Sequence, residues 1–345
     1  MSITPNSLTQ QQINIYNFLK SLDEDINPSY TNNIEAFINN CTINSNELEK
    51  DLLFIFDNED DKQIIFNAFY SLTILYRKDK NISKLLKIVD RTNNRFNDKP
   101  LFLYIRSYIH KNKLTKRDAL QSIELASEAI DLIEKSNKNY PGFYQNYADA
   151  IAIAFENKLL NDKKLLTKGI KQINIAIAIN PEYAKYYYTL GRLLILCEEY
   201  DEAKQNLLIA IDYEDPTNKA FSIRISEYQD ALMKCSVMQT LCNYEKSKKE
   251  IEDEINNTKK SILEFLGFFA AILALVLTTV QIAVTLSLTE SIKLIGFMLG
   301  GIIVAFGTLR LVMNFNGKTF LQTLTICLFG VGFVLFVLFI APHFK

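Results

Sequence analysis

The sequence has no tryptophan, only two histidines (His110 and His343) and only five cysteines among its 345 residues. So few imidazoles leave little material for acid–base chemistry, and the cysteines do not have the spacing typical of a metal site. We find no glycine-rich phosphate loop and no catalytic motif in any stretch of the chain. The sequence therefore predicts a protein that is not an enzyme and that has no catalytic residues, no metal site and no cofactor.

An excess of charge is also missing, because 38 Lys and Arg residues are matched by 39 Asp and Glu residues. Without a basic excess the chain has no field that would recruit nucleic acid, and we predict no nucleic-acid partner. The first 25 residues are polar and contain no apolar core, so they do not form a secretory signal peptide. Membrane insertion is therefore expected to be directed from the other end of the chain.

Long apolar runs are confined to the last quarter of the sequence. Three of them, at about 262–288, 294–313 and 320–341, each reach the roughly 20 residues that a helix needs to cross a bilayer. They predict a transmembrane helix bundle of about three spans within 262–345. The expected localisation is a membrane, in a multi-pass arrangement.

The distribution of basic residues predicts the orientation of this bundle. Five lysines precede the first run, and Arg310 and Lys318 lie between the second and the third; the five are Lys246, Lys248, Lys249, Lys259 and Lys260. Positive charge favours the cytoplasmic side of a membrane. We therefore expect the N-terminal domain to be cytoplasmic and the C-terminus to be outside.

Small and polar residues within the runs predict packing between spans. Gly296, Gly300 and Gly301 would let two helices approach closely, although such a group also occurs by chance in apolar segments. Gln281 would either form a hydrogen bond with a neighbouring helix or line a water-filled path. No charged residue lies in the middle of a run, which disfavours a proton-coupled transporter.

The chain before the apolar runs has the periodicity of helices almost throughout and very little glycine, which predicts an all-α fold. Pro100, Pro141, Pro181 and Pro216 recur at intervals of 41, 40 and 35 residues. Regular punctuation is typical of an α-solenoid built from helix pairs, and chance spacing in an irregular helical bundle is the alternative.

The two later prolines each follow a residue that can cap a helix, so Asn180-Pro181 and Asp215-Pro216 predict helix starts. We expect an N-terminal helical region at 1–99 and a solenoid with a capping helix at 100–242.

The clearest single unit runs from Ala184 to Pro216. Its first helix has a large aromatic residue, a Leu-Gly pair and a further large residue; its second helix alternates small and large residues. These positions are Tyr187, Leu190, Gly191 and Leu194, then Ala203, Leu207 and Ala210. The unit resembles a tetratricopeptide (TPR) repeat, and weaker matches extend the resemblance back to about Leu101.

The TPR resemblance implies that the first helix of each pair lines a groove that binds a protein or peptide. Carried over to this unit, it places Lys185, Tyr188 and Arg192 on the groove face. Two cations beside an aromatic ring could hold an acidic or carboxylate-bearing peptide. An ordinary solvated helix surface is the alternative.

Residues 243–261 are highly charged and contain the isolated apolar residues Ile251 and Ile255, whose face Ile262 continues. They predict a helical stalk. The stalk either associates as a coiled coil, giving a homo-oligomer through stalk and spans, or remains a solvated helix without a partner.

Together these features predict a membrane-anchored, cytoplasmic TPR-like scaffold that binds a protein partner in its groove and has the lipid bilayer as its second partner. A hypothesis of another class is a bacterial immunity-type effector, as used in antiviral defence. The layout resembles such effectors, in which a helical sensor domain controls a membrane-disrupting or pore-forming bundle. A subunit of a translocation or assembly complex is a third hypothesis.

Overall fold

A computed structural model of the chain describes residues 8–22, 28–41, 43–92, 95–136, 138, 140–313 and 317–340. These residues form fourteen α-helices, and no strand occurs among them. The chain divides into two compact units, Met1–Cys242 and Asn243–Lys345. The helices are α1 (Gln10–Ser21), α2 (Pro28–Asn40), α3 (Ser45–Asn58), α4 (Lys62–Lys78), α5 (Ile82–Arg91), α6 (Pro100–Lys111), α7 (Lys116–Lys135), α8 (Pro141–Glu156), α9 (Lys163–Ile179), α10 (Ala184–Leu196), α11 (Tyr200–Tyr213), α12 (Phe221–Ala283), α13 (Leu288–Met313) and α14 (Gly317–Ile340).

The first unit is an α-solenoid of helix pairs. Within it α4 packs on α5, α6 on α7, α8 on α9 and α10 on α11. The first helices of successive pairs also contact one another, α4 with α6, α6 with α8, and α8 with α10. Stacked pairs with such nearest-neighbour contacts define a solenoid. We call the surface formed by α4, α6, α8 and α10 the groove face.

The four pairs share one backbone conformation in the turn between their helices. Each turn contains a residue with positive φ two or three residues beyond the first helix: Lys80 (φ 52°), Leu114 (52°), Lys158 (56°) and Glu198 (66°). No other described non-glycine residue has a positive φ. The shared turn shows that the repeat of helix pairs begins at α4. The sequence predicts a later start, at residue 100.

Two of the four regularly spaced prolines begin helices, and two do not. Pro100 and Pro141 are the first residues of α6 and α8, where a missing N–H costs no helical hydrogen bond. Pro181 instead lies in a turn, because α10 begins at Ala184. Pro216 also lies in a turn, where the Asp215 carboxylate accepts a hydrogen bond from the backbone N–H of Thr217. The prediction of helix starts at Pro181 and Pro216 was wrong.

Helices α1, α2 and α3 pack on α4 and close the N-terminal end of the solenoid. Asn67, fully buried on α4, joins them through its side-chain amide. Its Nδ2 donates to the carbonyl of Leu19 on α1 (2.8 Å), and its Oδ1 accepts from the Tyr30 hydroxyl on α2 (2.7 Å). A buried amide with both ends satisfied fixes the position of α1 and α2 on the first pair.

Helices α10 and α11 approach each other closely at Gly191. A Cβ built there would lie 2.7 Å from Leu207 Cγ and 3.3 Å from the Ala203 carbonyl oxygen. Leu207 and Ala203 are both fully buried. The small residue is therefore required by contact between the two helices, as the TPR resemblance implies.

Gly191→Ala is expected to destabilise the first unit by about 1–3 kcal/mol, because the added methyl group overpacks a core that cannot expand freely. Gly169→Ala on α9 is the matched control. Its Cβ would meet only side-chain ends of Leu193 and Ile151, at 3.3 Å or more. Urea unfolding of both variants is the measurement, and equal losses of stability would contradict the predicted close contact.

The described part of the second unit begins within α12, which is one continuous helix of 63 residues. Its segment 243–261, the predicted stalk, is helical and exposed along its whole length. Two helices among the described residues are long and apolar enough to cross a membrane, α12 and Leu288–Gly307 of α13. Their apolar windows are only 6% and 11% buried, so neither helix is covered by the other described residues of the chain.

The helix bounds differ from the predicted spans. The first predicted span, 262–288, ends earlier, because α12 stops at Ala283. Then α13 starts at Leu288 rather than 294, since Ser287 caps it and the Glu290 carboxylate accepts hydrogen bonds from Ser287 N and Oγ (3.2 and 2.7 Å). The third predicted span, 320–341, falls mostly on α14. Ala341 and many α14 side chains lie outside the described residues, and its described apolar stretch is Leu328–Val337.

Candidate functional site

The groove face carries a buried network of charged side chains centred on Asp149 of α8. Lys111 Nζ on α6 lies 2.7 Å from Asp149 Oδ2, and Arg192 Nη1 on α10 lies 2.7 Å from Oδ1. Arg192 also makes two bonds to the Glu156 carboxylate, at 2.9 and 2.6 Å. Lys111 and Asp149 are each 8% exposed and Arg192 is 9% exposed. The network thus joins three successive first helices.

The charges of this network are mutually dependent. Burial alone would raise the pKa of Asp149, but Lys111 and Arg192 outweigh it and hold the pKa far below its ordinary value. Burial alone would lower the pKa of Arg192, and Glu156 and Asp149 reverse that effect. Asp149 and Arg192 are therefore ionised at neutral pH. Removing one of them would leave a buried charge without its partner.

The three predicted binding residues lie on the groove face but differ in availability. Arg192 is occupied by Asp149 and Glu156, so it is not the free cation that the sequence suggests. The Tyr188 ring packs against the Tyr228 ring of α12 (centroids 4.8 Å apart) and under the Arg192 guanidinium (5.2 Å). Lys185 is partly exposed and forms no ion pair with a described residue.

Beside Tyr188 and Arg192 a recess of about 300 Å³ opens between α8, α10 and α12. Its charged lining is mixed, with Glu156, Glu227 and Asp230 opposite Arg192 and Lys234. This end of the groove face is therefore the more acidic one.

At the other end lies Arg77, near the C-terminus of α4. Its guanidinium carbon is 5.6 Å from the Tyr104 ring centroid and 6.0 Å from that of Tyr108, both on α6. Arg77 Nε is buried and has no hydrogen-bond partner, and the side chain forms no ion pair with a described residue. A buried donor without a partner is rare, since it costs free energy. We call Arg77, Tyr104, Tyr108 and Lys185 the Tyr104 site.

Sequence reasoning missed Asp149, Lys111, Arg77, Tyr104 and Tyr108, although it did single out Lys185. One signal was present, because Asp149 interrupts the apolar stretch of α8, and a charged residue inside such a stretch is seldom buried without a partner. Arg77 and Tyr104 offered none, since α4 lies upstream of the TPR-like stretch and α6 lies where the match is weak.

The residues predicted to pack membrane helices also fall into two groups. A Cβ at Gly300 would lie 2.9 Å from the carbonyl oxygen of Gly330 on α14 and would overlap Val334; one at Gly296 would overlap Val337. Gly301, in contrast, has nothing within 4 Å of its Cβ position. Gln281 is exposed and forms no hydrogen bond with a described residue. The contact between α13 and α14 therefore involves Gly296 and Gly300 but neither Gly301 nor Gln281.

Among the described residues no group of three or more His, Cys, Asp or Glu side chains could hold a metal ion.

The chain was compared with family models, curated proteins and solved structures. No protein-family model matches the chain, and no curated protein matches it. The fold is similar to the crystal structure of yeast Tom70, with 14% sequence identity and a TM-score of 0.39. That match covers 68% of this chain and 49% of the Tom70 chain, about half of its length. The assignment of an α-solenoid rests on the helix contacts and the four shared turns.

Proposed function

We propose that the protein is a membrane-anchored scaffold whose cytoplasmic α-solenoid binds a protein partner on its groove face. The observation that carries the proposal is that some charged side chains on this face have no ion-pair partner. Four first helices present a continuous surface on which Lys185 and Arg77 have no ion-pair partner among the described residues. Charged groups left unpaired on an otherwise satisfied surface favour recognition of a complementary partner.

The membrane part of the proposal is supported by exposed apolar surface. Four apolar side chains are each more than 60% exposed in the isolated chain: Leu263 and Leu277 in α12, Val284 just after it, and Phe297 in α13. Apolar area on that scale is unfavourable in water and favourable in a bilayer. An N-terminal domain in the cytoplasm agrees with the lysines before α12's apolar part.

The test is isolation of the tagged full chain from membranes. We expect it to remain in the membrane after an alkaline carbonate wash and to co-purify with a specific protein. Lys185→Glu should reduce that protein by about tenfold or more, because it reverses a charge on the groove face that has no ion-pair partner among the described residues. Lys168→Glu, on the exposed surface of α9, makes the same charge change away from that face and should have no effect.

Release of the chain by carbonate, or equal losses in the two variants, would contradict the scaffold. A potential-sensitive dye separates it from the effector hypothesis. The scaffold predicts that overexpression leaves the membrane potential intact, whereas a loss of potential that requires α13 and α14 would favour the effector.

A further inference from the structure

Cations on three different helices act on one phenol, that of Tyr104. Arg77 of α4, Lys111 of α6 and Lys185 of α10 all act electrostatically on the Tyr104 side chain. Tyr108 lies between two of them, with its ring centroid 6.0 Å from Arg77 Cζ and 5.3 Å from Lys111 Nζ. Tyr104 and Tyr108 are both partly exposed, so the site is open to a ligand.

The charges of the groove face do not balance at this end. Lys111 and Arg192 are matched by Asp149 and Glu156, at 2.6–2.7 Å. Arg77 and Lys185 have no such carboxylate among the described residues. Two cations near Tyr104 therefore lack a carboxylate at ion-pair distance.

The same three cations lower the pKa of Tyr104. Burial alone would raise its pKa, but Arg77, Lys111 and Lys185 outweigh burial and hold the pKa below its ordinary value. Every other described tyrosine with a shifted pKa is shifted upward, as Tyr70 and Tyr186 are by burial. At Tyr104, unlike at these other tyrosines, nearby cations outweigh the effect of burial.

We propose that the Tyr104 site binds a phosphomonoester group, with Arg77 and Lys185 contacting its oxygens and the Tyr104 hydroxyl donating to it. This rests on the proposed function, since the ligand occupies the same groove face. A phosphomonoester carries about −1.5 to −2 charges at pH 7, so it would be attracted by both Arg77 and Lys185, neither of which has an ion-pair partner among the described residues. Its three terminal oxygens suit donors that approach from different helices, whereas a carboxylate offers two oxygens in one plane.

Arg77 is suited to this role by its geometry. The guanidinium stacks near two aromatic rings, which leaves its N–H edge for hydrogen bonds, and Arg binds phosphate through two such bonds. Its Nε has no hydrogen-bond partner in the protein, so the hydrogen-bonding capacity of the guanidinium is not fully used.

One acid opposes the ligand. Glu35 of α2 acts electrostatically on Arg77 and on Tyr140 but forms no ion pair with a described residue. It is exposed, so its removal leaves the fold intact. Glu35→Gln is therefore a variant that should strengthen binding, a result that misfolding cannot produce.

The experiment measures fluorescence anisotropy of labelled peptides with the full chain purified in detergent, in phosphate-free buffer at low salt. The probes are a glycine-flanked phosphoserine peptide, its serine twin and its glutamate twin, with phenyl phosphate as competitor. We expect the phosphopeptide to bind about tenfold or more tightly than either twin. Arg77→Gln should weaken it by a similar factor, Glu35→Gln should tighten it about two- to fivefold, and Lys168→Gln should change nothing.

The competitor distinguishes two sources of the phosphate. Phenyl phosphate that competes at the peptide's own affinity supports a small phosphorylated molecule as ligand. A peptide that binds at least about tenfold more tightly supports a phosphorylated partner segment. Equal binding of the glutamate twin, or no response to both Arg77→Gln and Glu35→Gln, overturns the proposal. Neither of these two results changes whether a partner co-purifies in a manner that depends on Lys185. The proposed function can therefore fail or hold independently of the phosphate proposal.

Discussion

Asp149→Ala is expected to lower the free energy of unfolding of the first unit by about 3–5 kcal/mol, the range for breaking a buried ion pair from one side. The substitution leaves Lys111 without an acid, and it leaves Arg192 with only Glu156. Both cations are less than one-tenth exposed, so water cannot replace the lost carboxylate.

Urea unfolding of the full chain in detergent, followed by tyrosine fluorescence, gives the measurement. All 17 tyrosines lie at or before Tyr244 and there is no tryptophan, so this signal reports almost entirely on the first unit. Asp131→Ala is the control, because Asp131 is an exposed acid on α7, and its loss should cost within about 0.5 kcal/mol. A loss below about 1 kcal/mol for Asp149→Ala would contradict a strongly coupled network.

The same residue predicts a dependence on acid. The pKa of Asp149 is depressed in the folded chain, so unfolding binds a proton once the pH falls toward the ordinary carboxyl value of about 4. Its contribution is therefore present above that value and is lost as the pH falls further. Asp149→Asn should show a smaller loss of stability between pH 6 and pH 3 than the unsubstituted chain.

Gly300→Ala is expected to disrupt the packing of α13 on α14, while Gly301→Ala leaves it unchanged. The added Cβ at Gly300 would overlap Val334 and press on the Gly330 carbonyl oxygen, a backbone atom that cannot rotate away. The cost of such overpacking is about 1–3 kcal/mol. Both variants gain the same helix propensity over glycine, so their difference isolates the contact.

The measurement is the midpoint temperature of aggregation of the full chain in mild detergent. We expect it to fall only for Gly300→Ala and to recover in part when Val334→Ala is added, since that removes the overlapping methyl groups. Equal midpoints for Gly300→Ala and Gly301→Ala would show that α13 does not use this face.

The sequence alone predicts the all-helical fold and the α10–α11 pair, because Gly191, Ala203 and Leu207 are small or large where two helices must meet. It does not predict α4–α5, which lies upstream of the stretch that resembles a TPR repeat. Helix α4 packs on the next pair through aromatic rings, as between Phe69 of α4 and Phe102 of α6 (ring centroids 5.5 Å apart), and such contacts have no fixed spacing in the chain.

The sequence predicts which side of α10 the candidate binding residues occupy, but not which of them are already held in ion pairs. Helical periodicity puts Lys185, Tyr188 and Arg192 on one side of α10, and the structure has them there. Whether Arg192 is free depends on Asp149 and Glu156, which are 43 and 36 residues away on another helix. Charge pairing between repeats is set by how the pairs stack, and no local pattern contains that information.

The four left-handed turns set how well the solenoid resists heat. Lys80, Leu114, Lys158 and Glu198 each hold a conformation that costs an L-residue roughly 1–2 kcal/mol and that glycine adopts freely. All four side chains are exposed. The first unit therefore melts below the temperature that its core packing would allow, and four surface positions outside the groove contacts are where its thermal tolerance could be raised.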